Sequence, residues 1–154
     1  KDVAFLRGEI QDGEGTRVPD AWENVFFGAT GDIRLTGTNP FSSDAGVASI
    51  LVETDVRRPR GAVYALALIR DGEEVRVLVD ARSVGGDVAP HQVRATTDGS
   101  DPGAASPLVG DVVTAEGRVR AVLSVGGHPV VTADTDAPRF RIAGSTAPEP
   151  ESER

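Results

Sequence analysis

An all-β fold follows from three features of this 154-residue chain. Apolar residues recur at every second position, glycine and proline sit at the joints, and helical spacing is nearly absent. The alternation predicts a single partly open barrel or sandwich of about eight to ten mostly antiparallel strands, with little helix and with OB-like elements among the options. Eighteen Gly and ten Pro supply the turns. One β-rich domain is expected over residues 1–144. Residues 145–154 (STAPEPESER) read as a disordered, acidic, Pro-rich tail. They hold no apolar side chain larger than Ala147 and cannot bury enough surface to offset their chain entropy.

Along the chain, Asp20 to Phe27 follows Pro19 and reads as one or two helical turns. Asp20 would cap them, Glu23 would complete a capping box, and Gly28 and Gly31 would end them. Trp22, Phe26 and Phe27 would then plug one end of the sheet. Asp32 to Thr36 alternates as a strand. In Val47 to Val56, Ile50, Val52, Thr54 and Val56 share one face, and Val47, Ser49, Leu51 and Glu53 the other. Ala62 to Ile69 is apolar on both faces, with Tyr64, Leu66 and Leu68 on one side. Ala65 and Ala67 lie on the other, where something must approach closely.

Asp71-Gly72 predicts a type I′ loop into a strand carrying Val75, Val77 and Val79. Gly85 to Leu108 has strand character only at His91 to Ala95. It is either a functional or mobile loop or a meandering connection between sheets. Val112-Val113 and Gly117 to Val125 read as one long or bent strand with a bulge at Gly117. Gly126-Gly127 turn the chain, Val130 to Ala133 return, and Arg139 to Ile142 form a short last strand.

Composition excludes several function classes. Asp plus Glu number 24 against 16 Lys plus Arg, giving a net charge of -8 and a pI near 4.7, which disfavours a polyanionic nucleic acid as partner. Cys is absent, removing disulfides, thiolate metal sites and thiol nucleophiles together. The longest apolar run, Ala62 to Ile69, falls far short of the roughly 20 residues that a membrane-spanning helix needs. Lysine occurs once, at Lys1, and arginine use in an acidic chain suits a halophilic or high-GC prokaryote. No initiator Met and no basic-then-apolar leader open the sequence, so a processed protein or a domain of a longer one is expected.

Site chemistry is sparse. GxSxG and SxxK are missing, so a hydrolase would need a site assembled in space. Gly13-Glu14-Gly15 lacks the third glycine of a dinucleotide loop, and no internal lysine could serve a Walker motif. No catalytic residue and no cofactor is assigned. Asp98 with Asp101, and Asp134 with Asp136, are weak calcium-ligand candidates, because loop carboxylates two or three apart can converge on one cation. The competing role is hydrogen bonding within their own turns. Arg57, Arg58 and Arg60 form a basic cluster in an acidic chain, suited to an anionic membrane surface or an acidic partner. A solvated loop is the plainer reading. His91 and His128, each beside a proline, join them as partner-contact candidates, with exposed turn histidines as the alternative.

Gly31 to Thr38 (GDIRLTGT), Asn39-Pro40-Phe41-Ser42, Val52-Glu53 and Val56-Arg57-Arg58 together resemble the opening of GIDE-type domains. Leu108 to Val119 (LVGDVVTAEGRV) is similar to their "GDEVYVLGRA" stretch. Val130 to Ile142, with Asp136, Ala137, Pro138, Arg139 and Phe140, is similar to their closing strand. The resemblance covers roughly residues 31–145. It implies a β-rich domain beside a membrane. Eukaryotic relatives join such a domain to a RING in a mitochondrial ubiquitin ligase. Here Asp44-Ala45 stand where the family shows a Cys or aromatic residue, and without Cys no RING zinc site can form, so ligase activity does not transfer. The expected function is a non-catalytic binding or scaffold domain, membrane-adjacent or at a cell surface, meeting a protein partner or itself through loops and sheet edges. An OB-fold nucleic-acid binder and a hydrolase are the alternatives.

Overall fold

The computed structural model describes residues 2–9, 23–37, 39–42, 47–86 and 88–137. Among them run eleven strands and no helix: β1 (Asp2–Glu9), β2 (Asn24–Gly31), β3 (Arg34–Thr36), β4 (Phe41–Ser42), β5 (Val47–Thr54), β6 (Gly61–Asp71), β7 (Glu74–Gly85), β8 (His91–Thr96), β9 (Val112–Thr114), β10 (Arg120–Val125) and β11 (His128–Asp134). Every pairing is antiparallel. The strands form three sheets ordered β1-β5-β3, β11-β10-β8 and β4-β2-β6-β7-β9, which do not close into a barrel. No helix of the described residues is long and apolar enough to cross a membrane.

The five-stranded sheet lies in the middle because its strands are apolar on both faces. Phe26, Tyr64, Leu66, Leu68, Val75 and Val77 point one way and meet Val93, Ala95, Ala121, Leu123, Val131 and Ala133 of the β8–β10–β11 sheet. Val25, Phe27, Val63 and Ala67 point the other way and meet Ala48, Ile50 and Val52 of β5. The result is a sandwich with two cores. Leu66, Val75 and Leu123 are completely enclosed, each contributing about 1.5–3 kcal/mol of transfer free energy. As the periodicity of the chain predicts, small Ala65 and Ala67 lie on the β5 side and the bulky row of β6 on the other.

Four sequence expectations are corrected. Asn24 to Phe27 is strand rather than helix, paired with β6 through Phe26↔Leu66 and Phe27↔Ala65; burial on both faces of a sheet outweighs a short capping signal. Gly28 therefore ends nothing. It lies mid-strand where β11 crosses. The β6–β7 loop is Gly72-Glu73, one residue later than expected, since Asp71 pairs with Glu74. Val112 to Val125 is two strands in different sheets: β9 pairs with β7, and β10 pairs with β8 and β11. Arg70 holds the crossing by donating to the carbonyls of Ala115 and Gly117, and the bent OB-type strand is not formed. Val56 falls beyond β5 and is 42% exposed.

The Gly126-Gly127 hairpin matches expectation, with φ of 60° and 81° as a type I′ turn requires. Gly85 to Leu108 carries the chain between sheets and contains β8, whose outer edge is covered by Pro107 to Val109. The proposed cap at Asp20, the Trp22 ring, the Arg139 to Ile142 strand and the 145–154 tail lie outside the described residues.

Candidate functional site

The loop from Asp55 to Arg60 joins β5 to β6 and has a rigid base. The Arg60 amide donates to Asp32 Oδ2 and the Asp32 amide donates to the Arg60 carbonyl, both at 2.9 Å. Glycines admit the backbone here: a Cβ on Gly31 would lie 2.1 Å from the Arg60 oxygen, and one on Gly85 2.1 Å from the Pro59 oxygen. At the other end, the Val56 amide donates to Thr54 Oγ1. The base is pinned while Val56, Arg57 and Arg58 project, all exposed.

Charge makes this loop distinct. Arg34, Arg82, Arg118 and Arg120 each meet a carboxylate, and Arg70 and Arg94 meet main-chain carbonyls. Among the described residues, no carboxylate meets the guanidinium of Arg57, Arg58, Arg60 or Arg76. Three of those four share one short loop. The acid beside them, Asp55, is engaged by Arg34 at 2.9 Å.

His91 and His128 come together at one end of the outer sheet. Both lie opposite Val125, His91 on β8 and His128 on β11, and residues opposite one another share a face. Both are exposed. The His91 ring meets the edge of buried Tyr64, with centroids 6.1 Å apart and planes at 71°. Tyr64 lies four residues into β6 from Arg60, roughly 13 Å along a strand, so the histidines and the arginine loop belong to the same end of the molecule. No hydroxyl or carboxylate of the described residues is hydrogen-bonded to either imidazole.

Asp101, Asp134 and Asp136 gather at the other end of that sheet around two arginines that sequence reasoning passed over, while Asp98 is held by Ser100. Arg118 grips Asp134 with two bonds, Nε to Oδ1 at 3.0 Å and Nη2 to Oδ2 at 2.5 Å. Arg120 reaches Asp101 at 2.5 Å, and its Nε lies 3.7 Å from Asp134. Asp136 is 3.9 Å from Arg118. Arg118 holds the Asp134 carboxyl below the ordinary carboxylate range. Asp98 is likewise lowered by the Ser100 hydroxyl and amide. These carboxylates form a clamp, and among the described residues no three His, Cys, Asp or Glu side chains are placed to hold a metal ion. Asn24 Nδ2 donates to the Ala137 carbonyl at 3.1 Å, so β11 runs toward the start of β2 and carries this clamp away from the arginine loop.

Sequence reasoning also passed over the outer edge of β7. β9 pairs only with Glu74 to Arg76, and Asp111 accepts from the Val77 amide. The remainder of β7 has no outer neighbour among the described residues. Such an edge depends on which strand lies beside which, and periodicity carries no trace of it. No family model matches this chain, and neither a curated protein nor a solved structure does so.

Proposed function

We propose that this domain is a non-catalytic binding module that rests beside a membrane, its Val56 to Arg60 loop against an anionic lipid surface and its sheet edges free for protein contacts. One observation carries the reading: among the described residues the guanidinium groups of Arg57, Arg58 and Arg60 meet no carboxylate, in a chain whose net charge is -8, while six other arginines are engaged within the fold. A basic side chain near an anionic bilayer is worth about 1 kcal/mol. Exposed Val56 adds an apolar contact beside them. The opposing charge of the aspartate clamp sits at the far end, so an oriented approach keeps it from the lipid. The resemblance to GIDE-type domains agrees with a membrane-adjacent position.

Co-sedimentation with vesicles tests this. Binding is expected to phosphatidylcholine vesicles containing phosphatidylserine and not to pure phosphatidylcholine, and it should fade as salt rises. The double variant Arg57→Ser/Arg58→Ser should bind roughly 30-fold more weakly. Equal binding to neutral vesicles, or none to anionic ones, overturns the reading.

A further inference from the structure

The open edge of β7 is self-complementary, and we infer that two copies of this chain pair through it as an antiparallel dimer. The Val77 amide donates to Asp111 and the Glu73 carbonyl accepts from Ala115, so odd-numbered residues of β7 turn their main-chain groups away from β6. Beyond Val77 these are Val79, Ala81 and Ser83. Their outward N–H and C=O groups meet no partner among the described residues. The flanking chain leaves β7 at Gly110, since the Val109 amide donates to Val93 in the other sheet. An edge of this kind is a template for another strand.

Register selects the partner. A two-fold axis through Ala81 sets Ala81 opposite its own copy and Val79 opposite Ser83 of the second chain. All of these present outward groups, giving about six main-chain hydrogen bonds. Between them Asp80 falls opposite Arg82 of the second chain, and Arg82 opposite Asp80. These are non-hydrogen-bonded positions, where Cα atoms approach to about 4.5 Å and side chains interact most closely. Leu78, packed against the β5-side core, falls opposite Val84, the bulged residue near the end of β7, which is 40% exposed in the single chain. The row Leu78, Asp80, Arg82, Val84 reads apolar, acid, base, apolar, and a two-fold axis matches it to itself. Moving the axis to Val79 would set Arg82 against Arg76, and moving it to Ser83 would leave both charges unmatched.

Supporting features lie on the same side. Asp80 and Arg82 are more than half exposed and bond each other at 3.1 Å, so they stand ready to exchange partners across an axis. Exposed Val112, on β9 opposite Arg76, flanks the open segment. An isologous contact closes as a dimer rather than extending into a fibre.

Sedimentation equilibrium across a concentration series tests the pairing, with circular dichroism to confirm folding. The intact chain should form a dimer. Asp80→Arg and Arg82→Asp should each weaken it by about tenfold, by placing like charges opposite one another. Mixing the two single variants, or combining both changes in one chain, should restore association, because the charges again match. Ala81→Pro should abolish the dimer while keeping the fold, since that N–H points away from β6. A monomer at every concentration, association indifferent to the single variants, or failure of both the mixture and the double variant to recover it overturns the inference.

Discussion

Val130 crosses Gly28 so closely that a Cβ on the glycine would lie 2.4 Å from the Val130 carbonyl oxygen and 2.9 Å from Val131 Cβ. The glycine is what lets β11 lie on β2. Gly28→Ala should force these strands apart and cost about 1–3 kcal/mol, the usual range for overpacking. Gly103→Ala, where a Cβ meets nothing within 4 Å, should change stability by less than about 0.5 kcal/mol. Urea titration of the two variants makes the comparison.

Asn39 acts as a substitute strand for β2. Its Oδ1 accepts from the Phe27 amide at 2.9 Å and its Nδ2 donates to the Phe27 carbonyl at 2.7 Å, just past the point where β4 stops pairing. Asn39→Ala should leave both groups unmatched and cost about 1–3 kcal/mol. Amide hydrogen exchange at Phe27 should accelerate more than at Ala65, which keeps its place between β2 and β7.

The Arg118–Asp134 grip makes stability depend on acid. Because the folded Asp134 carboxyl titrates below its unfolded value, its contribution is complete above the unfolded value of about 3.9. It is lost as pH falls through the lower, folded value. Asp134→Asn should therefore be less stable than the parent near neutral pH. The difference should shrink below the ordinary carboxylate range and vanish in stronger acid. Denaturant titrations at a series of pH values check the direction.

Much of the architecture could be read directly. The two-sided apolarity of Ala62 to Ile69 placed β6 in the interior, and the Val47 to Val56 alternation named the face on which Ile50, Val52 and Thr54 are buried. Errors arose where local signals competed with distant contacts. Asn24 to Phe27 looks helical by its capping residues, but its alternate side chains enter two different cores. The Val112 to Val125 stretch looks continuous until Arg70 ties down the crossing. For the candidate surface, Arg57, Arg58 and Arg60 were visible as a charge cluster. That their guanidinium groups meet no carboxylate among the described residues is a property of distances, and the matched row on β7 is a property of neighbouring strands. Neither is written in composition or spacing.

β6 is flanked by β2 and β7 and covered above and below. Its two faces are cut to different depths, one by Tyr64, Leu66 and Leu68, the other chiefly by the smaller Val63, Ala65 and Ala67. Deleting a single residue before Tyr64 would present leucines to a slot shaped for methyl groups and methyl groups to a cavity shaped for leucines. Such a frameshift has no partial remedy, so tolerance of insertions and deletions should fall to its minimum along this strand and rise again at the Gly126-Gly127 bend.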